Sequence, residues 1–127
     1  DAVTWFGVLG AVGVGAVASA ILVANNLRDI PTDTEHGKLT LAVRLGDRPT
    51  RTYYLALLAV AYLVPVGLWW RGLSSAWVLI AWLSLPLALQ LARRLRHERG
   101  LALNGCLVLT ARLEVVFGVL FALGLAW

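Results

Sequence analysis

The chain has 127 residues, 60% of them hydrophobic and only 14% charged, with six Trp, no Met and one Cys. Soluble domains run at about 45–50% apolar and about 25% charged, so this composition is shifted toward lipid and excludes a disordered chain or a disulfide scaffold. The single Cys106 forms no internal bridge, and His36 and His97 lie too far apart in sequence for a zinc motif.

A transmembrane helix needs roughly 20 mostly apolar residues. Four stretches approach or exceed this, near 3–26, 53–70, 76–92 and 102–125, and they predict an all-α, polytopic transmembrane bundle. The first carries no charge from Ala2 to Leu27 and has no basic leader, so it reads as a span and not as a targeting segment. Gly7, Ala11, Gly15 and Ser19 recur every four residues along it, which predicts a face for close helix packing. Pro65 and Pro86 fall inside the second and third spans, where they predict kinks and not breaks. Asn104-Gly105 reads as a turn ahead of the fourth span.

Eleven Lys and Arg against seven Asp and Glu are partitioned by loop. Arg28, Lys38, Arg44, Arg48 and Arg51 follow the first span, Arg71 alone follows the second, and Arg93, Arg94, Arg96 and Arg99 follow the third. By the positive-inside rule the first and third loops are cytoplasmic, with Asp1 and Trp127 on the far side. The excess charge is thus topology and not a nucleic-acid footprint. Trp5, Trp69, Trp70, Trp77 and Trp127 fall at outer span ends and Tyr53 and Tyr54 at the inner edge, as headgroup anchors do. His97, among the arginines, reads as part of a solvated patch facing headgroups.

Residues 25–52 form a polar loop between the first two spans. Asn25, Asp29 and Asp33 are spaced by four, so a helix would carry their oxygens on one face. Such oxygens suit Mg²⁺, which takes one or two carboxylates together with substrate phosphates. Pro31 interrupts a helix here, which puts Asp33 on the first turn of a new segment. Lys38, Arg44 and Arg28 flank the carboxylates, as cations that hold diphosphate oxygens would. On spacing alone, a solvated loop of mutually neutralised charges accounts for the pattern too.

The run NNLRDIPTDTEHGKLTLAVRLG, residues 25–46, closely resembles the second aspartate-rich motif of the UbiA superfamily of intramembrane prenyltransferases, in its 1,4-dihydroxy-2-naphthoate branch. The closing VFGVLFALGL resembles the last helix of that branch. The resemblance implies a nine-helix fold of which this chain would be the C-terminal portion, its four spans corresponding to the sixth through ninth helices. It implies Mg²⁺ as cofactor, with Asp29 and Asp33 as metal ligands and Asn25 as a supporting oxygen. Lys38 and Arg44 would contact the diphosphate, with Arg28 beside them; Asp29, Asp33 and Lys38 would form the catalytic set. The family's first aspartate-rich motif lies in an N-terminal half that would be this chain's partner.

The implied activity is transfer of a polyprenyl group from a prenyl diphosphate to 1,4-dihydroxy-2-naphthoate with loss of CO₂, giving demethylmenaquinone. It would take place in a bacterial inner (plasma) membrane with the motif loop cytoplasmic. The first and fourth spans are candidates to line the prenyl tail channel. A 4-hydroxybenzoate acceptor is the alternative within the superfamily. A small four-helix transporter is the alternative from another class, with Glu114 as its sole intramembrane carboxylate.

Arg112 lies ten residues beyond Ala102, roughly 15 Å along a helix, near mid-membrane. Three placements compete for it: ion pairs to helices outside this chain, a polar wall of the acceptor cavity, or the cytoplasmic edge of a shorter span. His36, in the motif loop, is either a turn residue or a substrate contact.

Overall fold

The computed structural model describes residues 4–127. The start of the first span at Val3 and the placement of Asp1 therefore lie outside the described residues. Four helical segments are long and apolar enough to cross a membrane, Trp5–Arg28, Asp47–Trp70, Ala76–His97 and Gly100–Ala126. Among the described residues the regular elements are all helical.

Helix α1 spans Trp5–Arg28 and opens at Thr4, whose Oγ1 accepts from the Gly7 N–H at 3.2 Å. Two short helices follow, α2 over Ile30–Glu35 and α3 over Leu41–Leu45, before α4 runs from Asp47 to Trp70. Residues 25–52 are thus mostly helical, not a loop. Helix α4 starts earlier than its apolar run, with Asp47 in its first turn and Arg51 paired to it at i,i+4. Hydropathy marks only the apolar part of a helix; charge pairs and an acidic first turn extend it into the headgroup zone.

The third crossing changes helical type. Ala76–Ser84 is a 3₁₀ segment and Leu85–His97 is α5. Pro86 sits at this junction instead of kinking a continuous helix. It has no N–H for the Trp82 carbonyl, which accepts from the Leu85 N–H, the tighter i→i+3 bond. Pro65, by contrast, lies inside an unbroken α4. One residue past the carbonyl that Pro65 leaves without a donor, the Tyr62 carbonyl accepts from Trp82 Nε1 at 3.1 Å. That bond from a neighbouring helix explains the one Trp without an interfacial position. The other five are exposed at helix ends.

Helix α6 spans Leu103–Ala126, so Asn104 and Gly105 belong to its first turn and not to a loop turn. Helix α1 packs on α4 and α6, and α6 packs on the 3₁₀ segment. The last contact depends on Gly124, where a Cβ would stand 2.7 Å from Val78 Cα. The centre is filled by Tyr62, Phe117 and Phe121, with ring centroids 5.4 and 5.5 Å apart in succession.

Two more expectations change. The buried face of α1 is Gly13, Ala16, Val17, Ala20, Val23, Ala24 and Leu27, while Gly7, Ala11, Gly15 and Ser19 face outward. Two small-residue stripes share this helix, and the contact of Gly13 with Val64 selects the other one. Tyr54 is no interfacial anchor: it is fully buried, its hydroxyl 2.7 Å from Thr110 Oγ1. A buried phenol needs a hydrogen-bond partner, and α6 supplies it.

Candidate metal and diphosphate site

The end of α1, the start of α4, the end of α5 and the start of α6 meet at one end of the bundle. Arg28 reaches Asn104 there, and Arg51 reaches the carbonyls of Leu95 and Glu98. The motif residues sit on this end.

Asp29 caps the C-terminus of α1 and the N-terminus of α2 at once. Pro31 falls in the first turn of α2, where its missing N–H costs nothing, and Asp33 lies in that same turn as the sequence predicts. The helical register nevertheless survives the break. The Asp29 N–H donates to the Asn25 carbonyl at 3.1 Å, and the Asp33 N–H donates to the Asp29 carbonyl at 2.8 Å. These two i→i+4 bonds stack Asn25, Asp29 and Asp33 along one face.

Arg28 binds the first two. Its Nε and Nη2 grip both oxygens of Asp29 at 2.7 and 3.0 Å, and Nη2 also donates to Asn25 Oδ1 at 2.7 Å. Nη1 donates to Asn104 Oδ1 at 3.0 Å. The hydrogen bonds from Arg28, with its charge and that of Lys38 behind them, hold the Asp29 carboxyl below the ordinary carboxylate range. Asp29 is therefore ionised across neutral pH. Arg28 is thus engaged with the acidic face and with Asn104.

Helix α2 ends in a reversal that returns the chain over Asp33. Gly37 has φ +69°, its N–H donates to the Thr34 carbonyl at 3.2 Å, and the Lys38 N–H donates to the Asp33 carbonyl at 2.8 Å. This is a Schellman closure, whose left-handed position favours glycine. It brings Lys38 Nζ to 3.9 Å from Asp33 Oδ1, with the Lys38 side chain still two-thirds exposed. His36 is spent on the same helix end, its Nδ1 donating to the Thr32 carbonyl at 2.7 Å.

Thr40 then caps α3, accepting from the Val43 N–H at 3.2 Å, and Arg44 stands exposed in the last turn. Arg44 makes no ion pair among the described residues. A cleft of about 170 Å³ opens between α1, α3 and the start of α4, lined by Leu22, Val23, Asn26, Leu41, Leu45 and Tyr53 among others. It is partly apolar and abuts the motif through Asn26. No α6 residue lines it.

The donor set fits Mg²⁺ in part. Among the described residues no cluster of three or more His, Cys, Asp or Glu gathers at metal-binding range. Asp33 Oδ2, however, is buried without a hydrogen-bond partner. Buried carboxylate oxygens are normally satisfied, so this one lacks a partner of the kind a cation would supply. Asp29, Asp33 and the Asn25 amide suit a Mg²⁺ that completes its shell with phosphate oxygens and water.

Arg112 is not gathered into this site. Nine helical residues, 103 through 111, precede it in α6. It is exposed on the outer face beside Leu87, Val108 and Val115, about 12 Å along α6 from Asn104. Two groups at the site end escaped the sequence reading. One is Asn104. The other is a clamp in which Arg51 pairs with Asp47 while Arg94 pairs with Glu98, and Glu98 accepts from Cys106 Sγ at 3.2 Å. The i,i+4 spacing of Asp47 with Arg51 and of Arg94 with Glu98 was a signal for the two pairs. The contacts of Arg28 with Asn104, of Arg51 with the Leu95 and Glu98 carbonyls and of Cys106 with Glu98 join separate elements and carry none.

The chain is 48% identical to the 1,4-dihydroxy-2-naphthoate octaprenyltransferase of Mycobacterium tuberculosis over 77% of its length and 32% of that protein. It is 38% identical to the protein of the same name from Escherichia coli over 93% of this chain and 39% of that one. Against the Bacillus subtilis protein of that name it is 31% identical over 98% of this chain and 40% of the other. The chain thus spans between about a third and two-fifths of the length of these relatives. No solved structure matches it. The profile of the UbiA prenyltransferase family matches residues 1–109, and with the motif geometry above this makes the chain a member of that family.

Proposed function

We propose that this chain is the C-terminal portion of a prenyltransferase that moves a polyprenyl group from its diphosphate to 1,4-dihydroxy-2-naphthoate. The similarity to three octaprenyltransferases of that name supports the acceptor. The observation that carries the reading is the stacked face of Asn25, Asp29 and Asp33, with Lys38 folded back 3.9 Å from Asp33 and one Asp33 oxygen left open.

Asp29 and Asp33, with Asn25, would hold Mg²⁺. Bound there, the metal supplies positive charge to the departing diphosphate. Lys38 and Arg44, exposed on the same segment, bind diphosphate oxygens and stabilise the negative charge that grows as the allylic C–O bond breaks. Arg28 keeps Asp29 ionised and oriented. The cleft between α1 and α3 takes an apolar part of a substrate beside the charged face. The naphthoate ring carbon then bonds the allylic carbon and loses CO₂. The N-terminal portion of the parent protein supplies the first aspartate-rich motif. The parent protein lies in the bacterial inner membrane, its motif end facing the cytoplasm by the charge partition between loops.

The test is product analysis of the full-length protein in detergent with Mg²⁺, a long prenyl diphosphate, and either dihydroxynaphthoate or hydroxybenzoate. Prenylated naphthoquinol is the expected product. Prenylated hydroxybenzoate would change the acceptor, and no product with either would overturn the reading.

A further inference from the structure

We propose that Asn104, on the first turn of α6, is a positioning residue of the metal–diphosphate site and acts through Arg28 on Asn25 and Asp29. This rests on the prenyl-transfer reading above. The Arg28 guanidinium makes four hydrogen bonds, and three of them are local, to Asn25 and Asp29. Local bonds alone leave the long side chain free to swing with the end of α1. The fourth bond, Nη1 to Asn104 Oδ1 at 3.0 Å, ties the guanidinium plane to a different helix. Arginine only donates, so the Asn104 amide must present its oxygen to it.

The position of Asn104 is itself held from both sides. Leu103 and Cys106 are buried, and Cys106 Sγ donates to Glu98 Oε2 at 3.2 Å. Gly105 has no side chain, and a Cβ there would stand 2.8 Å from Arg94 Nη2. Arg94 fills that space and pairs with Glu98 at 2.6 Å. Asn104 is therefore a fixed point at the start of α6, and Arg28 carries that point to the acidic face. With Asn104 in place, the guanidinium holds Asn25 Oδ1 and both Asp29 oxygens in one arrangement. Without it, Arg28 is free to turn, and the spacing of those oxygens loosens.

The experiment uses the full-length protein, with Mn²⁺ as probe followed by electron paramagnetic resonance in the presence of inorganic diphosphate. Residues that orient metal ligands contribute about 10- to 100-fold in metal affinity. Asn104→Leu, near-isosteric but without the acceptor, is expected to weaken Mn²⁺ binding about tenfold at unchanged stoichiometry. In turnover it raises the Mg²⁺ concentration needed for half-maximal rate, while kcat at saturating Mg²⁺ stays near that of the unsubstituted protein. Asn104→Asp keeps an acceptor for Arg28 and retains the affinity. In an Arg28→Leu background, Asn104→Leu should add nothing further.

Equal Mn²⁺ affinity in the Leu variant overturns the role of Asn104 alone. So does a loss of bound Mn²⁺ stoichiometry at unchanged affinity, the mark of lost folded protein. Failure of the unsubstituted protein to bind Mn²⁺ and to turn over overturns the prenyl-transfer reading, and the role of Asn104 with it.

Discussion

Lys38 Nζ stands 3.9 Å from Asp33 Oδ1 because the backbone between them reverses through Gly37 at φ +69°. The pairing comes from a helix end and not from a charge pair within a helix. Replacing Gly37 with Ala forces a side chain into the left-handed region, at about 1 kcal/mol. Gly37→Ala should raise KM for the prenyl diphosphate more than it lowers kcat, since it moves Lys38 and leaves Asp29 in place. Steady-state kinetics check this, and an unchanged KM would separate Lys38 from the diphosphate.

Asp29→Asn should lower turnover by about 100-fold or more while the protein still expresses and folds. The amide keeps the shape and one acceptor oxygen but loses the charge that Arg28 and a cation share. Mg²⁺-dependent product formation at the unsubstituted rate would remove Asp29 from the site.

Gly124→Ala should destabilise the bundle by about 1–3 kcal/mol, because the added Cβ meets Val78 Cα at 2.7 Å and backbone must move. Gly118→Ala is the control, since its Cβ meets nothing within 4 Å. Thermal unfolding in detergent reads both. Equal melting temperatures would mean that α6 does not approach the 3₁₀ segment this closely.

Removing the Arg51 guanidinium leaves Asp47 only the exposed Arg99, at 3.3 Å, and takes a donor from the carbonyls of Leu95 and Glu98. Arg51→Leu should cost about 2 kcal/mol in unfolding free energy, since the Arg51 side chain is only 9% exposed. The same thermal assay measures it.

The Arg94 hydrogen bond holds the Glu98 carboxyl below its ordinary value of 4.5, with the Cys106 contact and the Arg94 charge adding to it. The ionised form is the one favoured by folding. Its contribution is fully present above the unfolded value and is lost as pH falls through the lowered folded one. Melting temperatures of the unsubstituted protein and Glu98→Gln should therefore differ near neutral pH and converge as pH falls through the lowered Glu98 value. A gap that widens on acidification would reverse the sign.

The sequence by itself determined the four crossings, the interfacial tryptophans and the acidic motif with its break at Pro31. Each of these is a local property: apolar length, a residue type at a boundary, or a proline at a known offset. It also determined the family, because a contiguous run carries that motif.

Which stripe of α1 faces inward was open, since small residues recur at helical spacing on two faces and only the contact with Val64 on α4 chooses. The 3₁₀ form of the third crossing and the burial of Tyr54 were equally hidden, because neighbouring helices supply their partners. The contact of Arg28 with Asn104 was hidden for the same reason, since α6 supplies it. Side chains distant in sequence meet only when helix rotation and depth are set, and the packing of the whole bundle sets them.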